Sequence, residues 1–269
     1  NRGKLVGLRN FLAGITTACV AWWGGVYLVG DTPSADGYAW VFTIAFIMTS
    51  TGLLMLLRVR EPRPPTVAPD VSLLRRLSQI PQLLREDPAF TRYFLARALT
   101  TMGRMALPFY ILYAGQTIGL TGTTLATLTI AFTLAATVSN LAWGYLSDRN
   151  GFRFSFLLSV ALWIGATVGL LISREFYVVV IIFAGIGAAQ EGFRIASINM
   201  TLEFGHRDDI PLRLAIANSS SEFAGTLAPF LGGVLAASLG YGAVFVGAIC
   251  FLLAGVVTVM IWVPEPRFA

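Results

Sequence analysis

Five charged residues lie inside the long apolar stretches of this sequence: Arg97, Arg104, Glu191, Arg194 and Glu222. In a membrane, a charge near the bilayer centre costs at least about 2.5 to 3.5 kcal/mol, so such residues usually face a bundle interior or a water-filled cavity. Arginine can bind an anionic group, and a carboxylate can take up and release a proton. The residue types therefore predict binding of a solute or an ion within the membrane.

The spacing of these residues predicts that they meet. Arg97 and Arg104 are seven residues apart, which places both on one helix face, and Glu191 forms an i, i+3 pair with Arg194. At a rise of 1.5 Å per residue, Glu191 and Glu222 both lie roughly 13 Å from the same membrane edge. Arg97 and Arg194 lie at about 8 to 9 Å and Arg104 at about 20 Å. Opposite charges can therefore pair at matched depths, and the cluster can be nearly self-neutralising.

Two interpretations of this cluster follow. In the functional one, the arginines bind an anionic group of a substrate, or Glu222 or Glu191 exchanges a proton coupled to transport. Asn218, one turn before Glu222, adds a polar group to the same region. In the structural one, a buried salt-bridge network only closes one side of the bundle. We favour a direct role for at least one of the charges, with Arg104 and Glu222 as the leading choices.

The composition indicates an all-α integral membrane protein. Hydrophobic residues make up 56% of the 269 residues, charged residues only 12%, and the mean hydropathy is +0.72. A soluble domain carries about 25% charged residues. A helix needs roughly 20 apolar residues to cross the hydrocarbon core, and eight stretches are long enough. We place them at 5–29, 38–57, 91–115, 124–146, 154–172, 176–199, 213–238 and 241–263.

The distribution of positive charge predicts the orientation of these spans. Fifteen of the 19 basic residues lie in alternate gaps or at the span ends beside them, whereas the other gaps hold only Arg174. This positive-inside asymmetry places both chain ends in the cytoplasm, and we expect a plasma membrane such as a bacterial inner membrane. The net charge of +5 is therefore a topology signal and does not indicate a nucleic-acid partner. The basic residues of the first group are Arg2, Lys4, Arg9, Arg58, Arg60, Arg63, Arg75, Arg76, Arg85, Arg92, Arg149, Arg153, Arg207, Arg213 and Arg267.

The polar interval 58–90 divides the chain into three predicted parts. Residues 1–57 hold two spans, 58–90 form a cytoplasmic linker, and 91–269 hold six spans. The linker starts with a proline-rich stretch, 61–69, which is expected to be extended. Residues 71–85 then carry leucines at helical spacing beside arginines, which predicts an amphipathic helix on the inner membrane surface; docking of another protein is the alternative.

A charged turn, Gly144-Tyr-Leu-Ser-Asp148-Arg149-Asn-Gly151-Phe152-Arg153, joins the fourth and fifth spans. It resembles the cytoplasmic G-x-L-x-D-R-x-G-R-R loop of the major facilitator superfamily of secondary transporters. Phe152 departs from that pattern, where a basic residue is usual. Two further stretches are similar to the seventh and eleventh helices of many members: 92–95 with 108–110, and 225–233.

The resemblance covers the whole chain and implies a specific architecture. The spans correspond to the fifth to twelfth helices, so the chain holds part of the N-terminal half and a complete C-terminal six-helix half, and the first four helices are missing. For this reason we expect that these residues alone do not transport. In the family, the seventh and tenth helices line the central cavity and the ninth and twelfth face lipid. The implied cytoplasmic gate motif consists of Gly144, Asp148, Arg149, Gly151 and Arg153, with Asp148 in contact with Arg213.

These observations favour a secondary active transporter that moves a small solute, with an anionic group as one option, by alternating access coupled to protons. A transport-inactive sensor or scaffold of the same fold is the alternative. A membrane enzyme acting on a lipid-linked substrate is disfavoured, because only Asp208 and Asp209 offer surface carboxylates and no partner groups accompany them. No nucleotide-binding loop occurs, His206 is interpreted as a solvated loop residue, and we expect no cofactor and no metal. The expected partners are the solute, protons, the lipid bilayer and the N-terminal helices of the same protein.

Overall fold

The computed structural model describes residues 2–30, 34–58, 81, 83–204 and 210–264. These residues form helices and contain no strand, which confirms the all-α fold. We number the α-helices in chain order: α1 (Arg2–Trp23), α2 (Ala35–Leu56), α3 (Pro88–Met102), α4 (Leu107–Ile118), α5 (Gly122–Asn150), α6 (Phe152–Ile172), α7 (Phe176–Glu203), α8 (Ile210–Leu239) and α9 (Tyr241–Trp262).

Seven of the eight predicted spans are single helices of sufficient length and hydropathy to cross a membrane. They are α1 with its π-helical continuation Gly24–Val29, and α2, α5, α6, α7, α8 and α9. Several run beyond the predicted ends, since α5 continues to Asn150 and α7 to Glu203. The chain is therefore a multi-pass integral membrane protein.

The remaining span, predicted as one helix over 91–115, is broken. A 3₁₀ segment, Gly103–Ala106, separates α3 from α4. Pro108 explains the break, because proline has no N–H to donate to the carbonyl four residues earlier, that of Arg104. The Arg104 carbonyl accepts instead from Leu107, which is a 3₁₀ hydrogen bond. The break thus lies about halfway along the segment and carries Arg104.

Very short connections make neighbouring helices antiparallel. A single residue, Gly151, separates α5 from α6, and Gly240 alone separates α8 from α9. Both glycines have positive φ, 87° and 82°, a conformation that costs other residues about 1 to 2 kcal/mol. The bundle therefore has two defined ends. We call the end with Gly151, the start of α3 and the start of α8 the turn end, and the other end, with Gly240, the opposite end.

The helices are held together by a core of large apolar side chains between α3, α6, α7 and α9. Towards the turn end, Phe90, Tyr93, Phe156, Trp163 and Phe193 are all buried in one cluster. A second cluster lies between the break in the third span and the opposite end, and also includes residues of α5. The outer sides of α6 and α9 carry exposed large apolar side chains, such as Leu158 and Val257.

The linker prediction falls mostly outside the described residues. Residues 59–80 and 82 include the proline-rich stretch and most of the amphipathic stretch. Residues 83–86 are helical, and Leu83 is buried against the core near the turn end. The division of the chain at 58–90 stays a prediction.

Candidate functional site

The predicted charged residues lie mainly on α3, the adjoining 3₁₀ segment, α7 and α8. The N-terminal half of α3 packs against both α7 and α8. The seven-residue spacing places Arg97 within α3 and Arg104 in the 3₁₀ segment that follows. The side chains of these two arginines have very different surroundings.

Arg97 joins three helices. Its side chain is buried, with the residue only 7% exposed. Nη1 donates to Thr201 Oγ1 of α7 at 3.0 Å, and Nη2 donates to Asn218 Oδ1 of α8 at 2.9 Å. Both acceptors are neutral, and hydrogen bonds from a charged donor are stronger than those between neutral groups. Arg97 therefore fixes α3 against α7 and α8 without an ion pair in the described part of the chain.

Buried hydroxyl groups extend this contact along α7. Tyr93 donates to the Ser197 carbonyl at 2.5 Å, and its hydroxyl lies 3.3 Å from Thr201 Oγ1. Sequence reasoning missed the roles of Tyr93, Ser197 and Thr201. The sequence did contain a signal for this contact, because Ser197 and Thr201 are four residues apart and lie at the depth of Arg97.

Glu191 and Arg194 form the predicted i, i+3 pair. Arg194 Nε donates to Glu191 Oε2 at 2.9 Å, and Nη2 contacts the other carboxylate oxygen. The Arg194 side chain is half-exposed, whereas that of Glu191 is largely buried. In the described part of the chain, no ion pair links either residue to α3 or α8. This pair is therefore complete within one helix.

Along the axis of α8, Glu222 lies between the level of Arg97 and the level of Arg104. Asn218, Glu222 and Gly225 occupy positions i, i+4 and i+7 of one face. Asn218 binds Arg97, and a Cβ at Gly225 would lie 3.3 Å from Arg104 Nη1. Glu222 itself is exposed and forms no ion pair with any residue that the structure describes.

The expected self-neutralising network between helices is not present among the described residues. The five charges form one ion pair, between Glu191 and Arg194 of the same helix. Arg97 uses neutral acceptors, and the Arg104 guanidinium has no hydrogen-bond partner in the described part of the chain. Matched depth was insufficient: Glu222 shares a face of α8 with Asn218 and Gly225, but it is exposed and forms no ion pair with the described residues.

The turn between α5 and α6 contains the residues of the predicted gate motif. Gly151 supplies the reversal, and Asp148 and Arg149 are exposed. Arg153 donates to the carbonyls of Met260 at 2.9 Å and Val259 at 3.4 Å, so it holds the end of α9. Such a cation near a helix C-terminus is favourable.

The surroundings of Gly144 and a hydrogen bond across this turn were not predicted from the sequence. A Cβ at Gly144 would meet no atom within 4 Å, so this glycine is not required for a close helix contact here. Ser147 donates to Ser155 at 2.9 Å across the turn, and both hydroxyl groups are buried. Sequence reasoning missed this link between α5 and α6.

Arg213 pairs with Asp87, and its expected contact with Asp148 stays a prediction. Arg213 Nη1 lies 2.5 Å from Asp87 Oδ2, and the guanidinium carbon lies 4.9 Å from the centre of the Phe90 ring. The other oxygen of Asp87 accepts from the Phe90 N–H at 2.9 Å and caps α3. One carboxylate thus joins the start of α3 to the start of α8.

A family comparison decides the classification. A sequence model described as Major Facilitator Superfamily matches residues 93–269, which is more than half of the chain. The chain belongs to the major facilitator superfamily. This superfamily consists generally of transporters, and the match includes α3 to α9 almost completely. A search of the curated proteins finds no match.

The resemblance also implies positions for the charges. In the register that the resemblance implies, α3 and α4 form the seventh helix and α7 the tenth. Arg97, Arg104, Glu191 and Arg194 therefore lie on the two helices that line the family's central cavity, and Glu222 lies on the eleventh. Residues Asp208, Asp209 and His206 lie outside the described residues. Among those described, no group of three or more His, Cys, Asp and Glu can hold a metal ion.

Proposed function

We propose that this protein is a secondary active transporter that moves a small solute by alternating access and couples that movement to protons. The observation that supports it best is the exposed Glu222 carboxylate, which has no ion pair in the described part of the chain and lies on α8 between the levels of Arg97 and Arg104. A carboxylate inside a membrane domain is costly, and such residues commonly belong to proton or substrate pathways.

The roles of the charges differ in this proposal. Glu222 takes up and releases the coupled proton, since Glu191 is already bound to Arg194 on its own helix. Arg104 binds the solute because it lies at the break halfway along the seventh helix. Substrate sites of secondary transporters are commonly formed by such interrupted helices near the bilayer midplane. Arg97 with Asn218 maintains the position of the two helices.

The turn end provides the inward gate. Asp148 and Arg149 are exposed beside Gly151, where they can contact the other half of the transporter when the turn end closes. Arg153 is already bound to the end of α9 and therefore serves as a fixed support for this turn. We expect Asp148→Asn to slow transport without a comparable loss of solute binding, because it removes a charge at the turn end, away from the residues to which we assign the solute.

The test of the coupling role is uptake by the full-length protein in proteoliposomes, screened over a panel of radiolabelled solutes with and without a pH gradient. Glu222→Gln is expected to lose gradient-driven accumulation while retaining exchange of the solute down its own gradient. Glu175→Gln, at an exposed position of the opposite end, is the matched control and is expected to accumulate solute normally.

Two results would contradict the proposal in different ways. Full gradient dependence in Glu222→Gln would remove the coupling assignment. If no solute of a broad panel accumulated under any gradient, the alternative of a transport-inactive sensor or scaffold would be supported instead.

A further inference from the structure

Arg104 lies against the backbone of α8. A Cβ built at Gly225 would lie 3.3 Å from Arg104 Nη1 and 3.8 Å from Thr101 Cγ2, so the absence of a side chain at Gly225 leaves room for the guanidinium. Arg104 is partly exposed and forms no hydrogen bond or ion pair with the residues that the structure describes. Thr101, beside it, donates to the Arg97 carbonyl at 2.8 Å. The guanidinium therefore retains its hydrogen-bond donors for a bound molecule.

Glu222 is one helical turn from this contact. Residues 222 and 225 are at positions i and i+3 of α8, where Cβ atoms are about 5 to 6 Å apart. Because the Cβ position of Gly225 lies 3.3 Å from Arg104 Nη1, the Cβ of Glu222 lies within about 9 Å of that nitrogen. An ion pair needs a separation of about 4 Å or less, and Arg104 and Glu222 form none. The two charged groups are thus close neighbours with a gap between them.

Arg104 and Glu222 are the two charges inside the spans that have no partner among the described residues. Arg97 donates to two neutral oxygen atoms, and Glu191 is bonded to Arg194. The remaining two charges have opposite signs, and both are accessible from outside the protein. A charge inside a membrane domain is costly without a partner. A bound molecule that carries one group of each sign satisfies both.

We propose that the solute is a small zwitterion, such as an amino acid, which binds with its carboxylate on Arg104 and its ammonium group on Glu222. This inference rests on the proposed function, since it assigns the substrate class of that same site. A guanidinium binds a carboxylate through two parallel hydrogen bonds, and a carboxylate accepts hydrogen bonds from an ammonium group. An amino acid with one hydrogen bond at each end extends over roughly 6 to 9 Å, which is within the range that the two side chains allow.

The proposed function gives the coupled proton to the same carboxylate. Glu222 can hold the proton or the ammonium group but not both at once, so the two occupy it in turn. In Glu222→Gln the amide oxygen still accepts a hydrogen bond from the ammonium group. Exchange of the solute is therefore expected to continue in that variant, although binding is weaker.

Solutes with another charge pattern fit these two residues less well. An anion without an ammonium group brings a second negative charge next to the Glu222 carboxylate. A cation without a carboxylate leaves Arg104 unpaired, and a neutral sugar neutralises neither charge. A direct ion pair between Arg104 and Glu222 in another conformation is the alternative, and in that case neither group selects a solute.

The test is equilibrium binding to the full-length protein in detergent at fixed pH, measured as the rise in Tm with ligand concentration. The probes are the L-amino acids, β-alanine and 4-aminobutyrate. For the zwitterion that binds most tightly, two analogues are measured: the amide, which lacks the carboxylate, and the deamino acid, which lacks the ammonium group. Each is expected to bind at least about tenfold more weakly, because one charge-assisted contact is lost.

Two variants identify which residue binds which end of the solute. Arg104→Gln is expected to weaken the zwitterion about 10- to 100-fold without weakening the amide, which has no carboxylate. Glu222→Gln is expected to weaken the zwitterion about tenfold without weakening the deamino acid, which has no ammonium group. Arg174→Gln and Glu175→Gln, at the exposed opposite end, are the charge-matched controls. A purely structural role of either residue would weaken all three ligands alike.

The outcomes separate this inference from the proposed function. The inference is wrong if the analogues bind as tightly as their zwitterion, or if the two variants weaken all three ligands to the same extent. The analogue series on the unaltered protein gives a result even if a variant does not fold. If another solute accumulates in proteoliposomes and no zwitterion binds, the substrate class alone is wrong. A zwitterion that binds with the expected dependence on both residues, but that no gradient accumulates, supports the inference and contradicts only the transport proposal.

Discussion

At the scale of single residues, three arginines of the seventh and eleventh helices have three different environments. Arg97 is bound to neutral oxygens of α7 and α8, and Arg213 is bound to the Asp87 carboxylate. Arg104 has no such partner among the described residues. The first two therefore set the positions of helices, and Arg104 is the arginine to which the proposed function assigns the solute.

The pair between Asp87 and Arg213 leads to a prediction on stability. Asp87→Asn keeps an oxygen that can cap α3 but removes the partner of a buried guanidinium. We expect it to cost about 2 kcal/mol, below the range for fully buried pairs because Asp87 is partly exposed. That corresponds to a loss of roughly 4 to 8 °C in Tm, measured on the protein in detergent.

A double-mutant cycle with Arg213→Met isolates the contact. The double variant is expected to lose clearly less stability than the sum of the two single variants, since neither charge is then left without its partner. Strictly additive losses would show that the two side chains stabilise the protein independently.

The sequence predicted which residues carry charge in the membrane, but it predicted their partners only in part. Glu191 with Arg194 was predictable because an i, i+3 spacing on one helix fixes the distance. The acceptor Thr201 and the link between Ser147 and Ser155 were not predicted, since they depend on how helices are rotated against each other. Hydropathy does not determine that rotation.

At the scale of elements, the broken seventh helix was signalled by Pro108 but was predicted as one continuous span. Proline at this position removes the donor for the Arg104 carbonyl, and the 3₁₀ bond from Leu107 replaces it. Composition alone gives apolar length and does not distinguish a bent helix from a broken one. The break matters because it determines where Arg104 lies.

The turn between α5 and α6 allows a paired prediction on two glycines of the same motif. Gly151→Ala is expected to cost about 1 to 2 kcal/mol, because its φ of 87° is unfavourable for alanine. Gly144→Ala is expected to raise stability by about 0.5 to 1 kcal/mol, because its Cβ meets no atom and alanine favours the helix. Thermal unfolding measures both.

Uptake by the same two variants adds a second result. If Gly144→Ala is more stable and yet transports poorly, Gly144 makes its close contact in another conformation of the transport cycle. Equal stability of the two variants would contradict the assignment of Gly151 as the required glycine.

Two adjacent glycines of α8 give a matched pair for helix packing. A Cβ at Gly232 would lie 2.6 Å from the Met105 carbonyl oxygen in the 3₁₀ segment, whereas at Gly233 it would meet nothing within 4 Å. We expect Gly232→Ala to cost about 1 to 3 kcal/mol through overpacking, and Gly233→Ala to be neutral or stabilising. Thermal unfolding in detergent distinguishes them, and a loss of the same size in both would show that α8 does not press on this segment.

At the scale of the whole molecule, the two ends of the bundle differ strongly in charge. Arg149, Arg153 and Arg213 lie at the turn end, and Arg174 is the described basic residue between α6 and α7 at the opposite end. The spans and their order were predictable because long apolar stretches leave few alternatives. The positive-inside rule then predicts that the turn end is cytoplasmic.

Cysteine labelling tests this orientation, since the chain contains only two cysteines, Cys19 and Cys250, which can be replaced by serine. In that background, a cysteine at Asn150 is expected to react with a membrane-impermeant maleimide only in inside-out vesicles, and one at Glu175 only in intact cells. Both positions are exposed and lie at opposite ends of α6, so each is the control for the other. The reverse pattern would show that the turn end is external, and the gate proposed for Asp148 would then act on the outward side of the transporter.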